Sequence, residues 1–249
     1  GWDSSIARIF EKHNYYKAVK DGSQLTREEK EILTTICVTY LNKGIPLWIA
    51  MDGKYLPTRP SRLSTLFQVA LALHGAEMTV GYEHRDLHGS NVLLAKTSGK
   101  TREYRFGNLS VVVKTFGREV TIIDQGYCRF EKDGRAHSHD PNEEELVGDD
   151  DFDEENVPRV SGMKREMRRL MRQGWHRFVP TSNALWLCCL SRLVLSKDYH
   201  TSKMYTDRLL QHDRDVFRSL LTARSIGSWL NSNDVQELLK VVATTRHLS

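Results

Sequence analysis

Cysteine is scarce in this chain: Cys37, Cys128, Cys188 and Cys189 are its four cysteines. No two of them form a Cys-x-x-Cys pair. The adjacent Cys188 and Cys189 lie in an apolar run and are poorly placed to bridge. Buried, reduced thiols of an intracellular protein are therefore expected. No apolar run approaches the roughly 18 residues that a membrane-spanning helix requires. The opening Gly1-Trp2-Asp3 lacks the basic and apolar layout of a signal peptide. It also lacks an initiator Met, as expected of a fragment or a processed product. No internal repeat is visible. What is present is ordinary for a soluble globular protein, with 39% hydrophobic and 27% charged residues in 249, enough for one large domain or two small ones.

The net charge of +4 conceals segregation. Glu143, Glu144, Glu145, Asp149, Asp150, Asp151, Asp153, Glu154 and Glu155 crowd one stretch. Lys164, Arg165, Arg168, Arg169 and Arg172 crowd the next. The acidic run reads as a solvated loop or as a surface that receives a basic peptide. The basic run reads as a solvated helix face that could pair with it. No aromatic residues interleave the basic run, so direct nucleic-acid binding is not expected.

Periodicity outlines the elements. Residues 2–20 have weak helical spacing at Ile6, Ile9 and Phe10, and 21–30 read as a polar loop. Ile32 to Leu41 is β-branched and apolar, predicting a strand that Asn42-Lys43-Gly44 breaks. Thr58-Arg59-Pro60-Ser61 predicts a helix start. Leu63, Leu66, Phe67, Ala70, Leu73 and Glu77 continue that helix at three- and four-residue steps to about Val80. The alternation of Tyr104 and Phe106, then Leu109, Val111 and Val113, across Gly107-Asn108 predicts a hairpin. Glu119–Ile123 predicts a strand, Asp133-Gly134 a turn, and residues 135–160 a long exposed loop. Met163, Met167, Leu170 and Met171 share one helical face and read as core. Asn183–Ser196 is apolar all round, hence a buried helix. Tyr205–Leu221 is amphipathic, and the last helix is expected to start at Asn233, capped by its side chain, with Gln236 three residues on. Strands thus fill the first half and helices the second, an α+β architecture.

The chemistry concentrates in His84-Arg85-Asp86-Leu87-His88-Gly89-Ser90-Asn91, followed by the apolar Val92-Leu93-Leu94. This matches the catalytic-loop signature of protein kinases. In that signature the Asp orients the substrate hydroxyl and takes its proton, while the Asn ligates Mg²⁺ beside the phosphates. A second metal ligand should stand at the end of a neighbouring strand, and Asp124 in Ile122-Ile123-Asp124-Gln125-Gly126 stands there. His84 reads as a structural residue under the loop. Arg85 reads as a partner for a phosphate or acid of the activation segment, or as a structural residue. His84 and His88 are four apart, which leaves a zinc hydrolase as a remote alternative. His137 and His139 read as solvent-facing.

His88 stands where most protein kinases carry Lys. With Asn91-Val92-Leu93-Leu94, Ile122-Ile123-Asp124, Arg129-Phe130-Glu131-Lys132-Asp133-Gly134, the acidic segment Asp140 to Asp153, and Pro180-Thr181-Ser182-Asn183-Ala184-Leu185-Trp186-Leu187, the chain resembles the haspin family of atypical protein kinases over roughly residues 35–230. The acidic segment resembles the family's activation segment, which has no Ala-Pro-Glu. The resemblance implies a protein-kinase-like fold, mainly the helical C-lobe with catalytic β-hairpins. Residues 1–44 would be a remnant of the N-lobe and hinge, and 45–249 the C-lobe. It further implies a Ser/Thr kinase that uses ATP and Mg²⁺ to phosphorylate a threonine on a basic histone tail, with chromatin as partner and a nuclear, chromosome-associated or also cytoplasmic location. Asp86 and His88 would be catalytic, with His88 neutralising the γ-phosphate. Asn91 and Asp124 would hold the metal. Tyr40, Leu41, Lys43 and Gly44, at the gatekeeper and hinge, would bind the nucleotide.

Two departures stand out. Asp124-Gln125-Gly126 replaces the family's Asp-Tyr-Thr, and Pro46 occupies the place of its substrate-reading Asp. Upstream of Ile36 no Gly-rich loop, strand Lys or Glu partner is found, so the chain alone is expected to hold nucleotide weakly. The alternative is a catalytically impaired pseudokinase or protein-binding module.

Overall fold

A 22-residue helix, α1 (Arg59–Val80), is the central element. The structure is a computed structural model that describes residues 44–52, 55–141, 160–196 and 207–247. The strand expected over Ile32–Leu41, the hinge residues Tyr40, Leu41 and Lys43, Cys37 and the acidic run 143–155 lie outside the described residues. Thr58 caps α1 as its sequence suggests: its hydroxyl accepts the Ser61 N–H while Ser61 returns a bond to the Thr58 backbone, and Pro60 sits in the first turn. Gly81 ends the helix at φ +53°, a conformation that glycine adopts without strain. Every residue from Ser61 to Leu71 is buried, so α1 is enclosed on all sides rather than amphipathic.

Two small antiparallel sheets pack against it. The first has the order β1 (Gly44–Pro46), β2 (Val92–Lys96), β5 (Arg118–Ile122). Gly44 opens β1, paired with Ala95. The free edge of β5 is satisfied by α1: Gln68 accepts the Val120 N–H at 3.1 Å and donates to Arg118 O at 3.2 Å. This explains a buried Gln in a core helix, because an orphaned sheet edge would cost about as much as lost hydrogen bonds. The second sheet joins β3 (Thr101–Phe106), β4 (Leu109–Lys114) and a C-terminal strand, β8 (Ala243–His247). The β3–β4 hairpin turns at Gly107-Asn108, as its alternation predicts.

A third, two-stranded unit pairs β6 (Arg129–Lys132) with β7 (Arg135–Ser138). Residues 135–138, expected to open a long loop, are therefore a strand, and residues 142–159 of that expected loop lie outside the described residues. Asp133 and Gly134 both have positive φ, 52° and 71°, the combination of a two-residue hairpin turn whose twist suits antiparallel strands. Phe130 and His137 are direct cross-strand partners with rings stacked at 5.1 Å. Arg135-Ala136-His137-Ser138 has too little apolar alternation to announce itself as a strand.

The helical half follows: α2 (Val160–Leu170), α3 (Thr181–Val194), α4 (Asp207–Arg218), α5 (Ile226–Leu230) and α6 (Asn233–Lys240). Met163, Met167 and Met171 are buried as expected, and Leu170 is partly buried against the core. On the outer face of α2, Arg169 pairs with Glu166. Helix α3 is buried from Ser182 to Ser191. Phe67 of α1, Phe217 of α4 and Trp229 of α5 have ring centroids 5.1–5.9 Å apart, each pair adding about 0.5–1.5 kcal/mol beyond burial. The cap of α6 differs from expectation. Asn233 is already helical, the extended Ser232 occupies the cap position, and the Gln236 amide donates to Leu230 O at 2.6 Å. Cys128, Cys188 and Cys189 are buried. No described helix is long and apolar enough to cross a membrane.

Candidate active site

Strand register builds the site. Val92 pairs with Ile122, so the residues just outside the two strand ends meet: the Ile123 N–H donates to Asn91 O at 3.0 Å. Asn91 and Asp124 are 33 positions apart in sequence, and this register brings them to one end of one sheet. The loop between Asp86 and Asn91 is wound tightly. Asp86 O accepts from the His88 N–H at 3.0 Å and from Asn91 Nδ2 at 2.8 Å, and His88 O accepts from the Asn91 N–H at 2.9 Å. Asp86 and His88 stay partly exposed, with His88 Nε2 3.6 Å from Asp86 Oδ2. His88 Nδ1 lies 3.2 Å from the Ser90 N–H, and Nε2 lies 3.3 Å from Asn91 Nδ2. A neutral imidazole accepts at only one nitrogen. When Nδ1 accepts from Ser90, Nε2 carries the proton and presents it toward Asp86.

Two backbone outliers flank the loop: Arg85 at φ +65° and Asp124 at φ +62°. Non-glycine residues in the left-handed region cost roughly 1–2 kcal/mol each, so their surroundings must hold them. His84 does part of this. Buried under the loop, its Nε2–H donates to Ile123 O at 2.9 Å and its Nδ1 accepts the Asp86 N–H at 3.3 Å. Burial pushes its pKa below the ordinary value, in keeping with this neutral tautomer. His84 thus ties Asp86 to the residue before Asp124. With both nitrogens engaged, it has no lone pair for zinc. Among the described residues no three His, Cys, Asp or Glu side chains form a metal cluster.

Arg85 is held from below, as a structural residue, one of its two readings from sequence. Its guanidinium is fully buried, pairs with Glu83 at 2.9 Å, and donates to the carbonyls of Trp175 and Arg177 at 2.5 and 2.9 Å. Glu83 also accepts the Val179 N–H at 2.7 Å and the Ser182 hydroxyl at 2.6 Å. Asn183, at the start of α3, accepts the His84 N–H at 3.0 Å and donates to Tyr82 O at 2.9 Å and Glu77 Oε1 at 3.0 Å. Arg129 adds a third clamp. It forms a two-way backbone bridge to Glu83 at 2.8 Å, and its guanidinium donates to Gly81 O at 2.7 Å and His176 O at 3.1 Å. Glu83, Asn183 and Arg129 are therefore positioning residues absent from the set of site residues chosen by sequence. Asn183 and Arg129 lie in segments whose motif resemblance was visible, but their roles were not.

The donor set suits a hard cation, which prefers oxygen ligands. Asn91 donates its NH₂ to Asp86 O, leaving Oδ1 as the ligating atom. Asp124 is exposed, and its Oδ1 accepts the Gly126 N–H at 3.3 Å. Gly44 lies in β1 at the other end of the β1–β2 pairing, opposite Ala95.

The family model for the haspin like kinase domain matches residues 29–229. This chain belongs to the haspin-like kinase family. It is 35% identical over 184 residues to the mouse serine/threonine-protein kinase haspin, covering 72% of this chain and 24% of that protein. To the bovine protein of the same name it is 32% identical over 165 residues, 66% of this chain and 20% of that one. To the Arabidopsis thaliana haspin homolog it is 29% identical over 157 residues, 63% of this chain and 24% of that one. The chain thus spans about a quarter of the length of the curated haspins it matches. The mixture of helices and small antiparallel sheets is the α+β kinase-like domain expected of a haspin relative.

Proposed function

We propose that this chain carries the catalytic C-lobe of a haspin-type Ser/Thr protein kinase, which transfers the γ-phosphoryl group of ATP to a threonine on a basic histone tail. The observation that supports this most is the β2–β5 register, which brings Asn91 and Asp124 together beside the loop bearing Asp86. Bound Mg·ATP would supply the transferable phosphoryl group and the cation that neutralises its oxygens. Asp86 accepts the threonine proton and holds the oxygen in line, a role its partial exposure and fixed backbone suit. Asn91 Oδ1 and the Asp124 carboxylate would hold Mg²⁺. His88 offers its Nε2 proton, orienting Asp86, and would stand near the phosphate in place of the usual Lys. Asp124 holds a positive φ at the strand end, and backbone strain of this kind is common at ligand sites.

On this reading residues 1–44 contribute the hinge and the end of the N-lobe, with Tyr40, Leu41, Lys43 and Gly44 against the nucleotide. Mitotic chromosomes in the nucleus are the place of action. A thermal-shift titration of the intact protein with Mg·ATP tests the metal assignment. Wild type should be stabilised with increasing ligand, and Asp124→Asn should lose the Mg²⁺-dependent part of the shift. An undiminished shift in that variant would overturn the role given to Asp124.

A further inference from the structure

Trp48 is a large aromatic residue left half-exposed on a rigid backbone. Its side chain is 49% exposed, yet its main chain is pinned to the catalytic loop. The Trp48 N–H donates to Gly89 O at 3.3 Å, and the N–H of the fully buried Leu47 donates to Val92 O at 2.8 Å. The Ala50 N–H then closes onto Leu47 O at 3.0 Å, opening the 3₁₀ turn Ile49–Asp52. Gly89 packs directly on it: a Cβ at Gly89 would stand 3.2 Å from Trp48 Cβ. The base of the indole is thus fixed against the residue that follows His88, within the loop that runs from Asp86 to Asn91. The ring itself has no aromatic or cationic partner among the described residues, unlike the exposed Phe178, which stacks on Arg129 at 5.3 Å.

Exposing an indole forgoes burial that would stabilise the fold, and fixed, exposed aromatics beside a reaction centre are typical binding anchors. We infer that Trp48 is a specificity residue whose indole face receives a Lys or Arg side chain of the peptide substrate flanking the acceptor threonine. A cation is favoured over an apolar side chain because the same loop carries the Asp86 carboxylate. A lysine can lay its methylenes on the ring while its ammonium lies in that negative field. The inference rests on the kinase reading above and adds the side chain that the enzyme reads.

The test is a cycle between two proteins and two peptides. Intact wild-type protein and Trp48→Ala are compared on a threonine peptide with a flanking lysine and on the same peptide with norleucine, which keeps the stem and removes the charge. The expected result is a rise of about two- to fivefold in KM for the lysine peptide, from the size of an exposed cation–π contact. The rise should fall on peptide KM rather than on kcat or the KM for ATP, should vanish with norleucine, and should be partly rescued in Trp48→Phe. Equal effects on both peptides, no effect, or an effect confined to kcat would overturn the inference. If wild type phosphorylates neither peptide, the kinase reading falls by itself. Fluorescence anisotropy of the two labelled peptides on wild type and Trp48→Ala then decides the inference by the same difference.

Discussion

Removing the Glu83 carboxylate should unfold the site from beneath. Glu83 and Arg85 are both fully buried and pair at 2.9 Å. The carboxylate accepts two further bonds, from the Val179 N–H at 2.7 Å and the Ser182 hydroxyl at 2.6 Å. Glu83→Ala leaves the Arg85 guanidinium in the interior with only the carbonyls of Trp175 and Arg177 as acceptors. Breaking one side of a buried ion pair costs about 3–5 kcal/mol. Each orphaned buried donor costs about 1–3 kcal/mol, although water entering the vacated volume offsets part of this. A loss near 5 kcal/mol is therefore expected. Glu83→Gln, which keeps the shape and one acceptor, should lose roughly half as much. Urea denaturation with unchanged slope measures both. Arg85 also sits at φ +65°, so loss of its anchor should let the backbone relax and misplace Asp86, reducing transfer more than stability alone predicts. A Glu83→Ala midpoint within about 1 kcal/mol of wild type would refute the reasoning.

Further expectations concern neighbouring groups. Burial raises the pKa of Glu77 to about 7, against an ordinary 4.5. A raised carboxyl pKa means that the folded state keeps its proton longer than the unfolded one. Stability should therefore fall as pH rises from about 4.5 to 7, by roughly 3 kcal/mol, and Glu77→Gln should flatten that slope in denaturation series across pH. Asp124→Gly should be more stable than Asp124→Ala by about 1 kcal/mol, because both lack the carboxylate but only glycine adopts φ +62° freely. Equal melting temperatures would contradict the strain. Gly89→Ala would set a Cβ 2.7 Å from Leu193 Cδ2 and 3.2 Å from Trp48 Cβ. About 1–3 kcal/mol of overpacking cost is expected in thermal unfolding, with a larger fall in transfer as the loop is displaced.

The parts of the fold written in local pattern were readable in advance. The Thr58–Ser61 cap, the apolar steps from Leu63 to Glu77 and the Gly107-Asn108 hairpin are decided by neighbours a few residues apart. Asp86, Asn91 and Asp124 were readable because metal and proton chemistry fixes residue types at fixed spacings. The structure then brings Asn91 and Asp124 together, while Tyr40, Leu41 and Lys43 fall outside the described residues. What stayed hidden depends on distant partners. Asn183 and Ser182 reach back 99 residues to His84 and Glu83, and a buried Asn or Glu looks like any polar residue until its partners are known. Strand β8 is Ala243-Thr244-Thr245-Arg246-His247 and exposes all but its first residue. It exists because β4 offers a free edge, and its own sequence carries no apolar alternation. The same holds for Arg85, whose partners, buried beneath the loop, come from residues 83, 175 and 177.

The central claim is that Asp86 acts on the acceptor hydroxyl while Asn91 and Asp124 act on the metal. Radiolabel transfer from ATP to a basic threonine peptide, measured for intact wild type and Asp86→Asn alongside Mg·ATP stabilisation, separates these roles. In Asp86→Asn, kcat should fall by about 10²–10⁴, while the Mg·ATP thermal shift stays at the wild-type value. Transfer within about threefold of wild type, or loss of the nucleotide shift together with transfer, would contradict that claim.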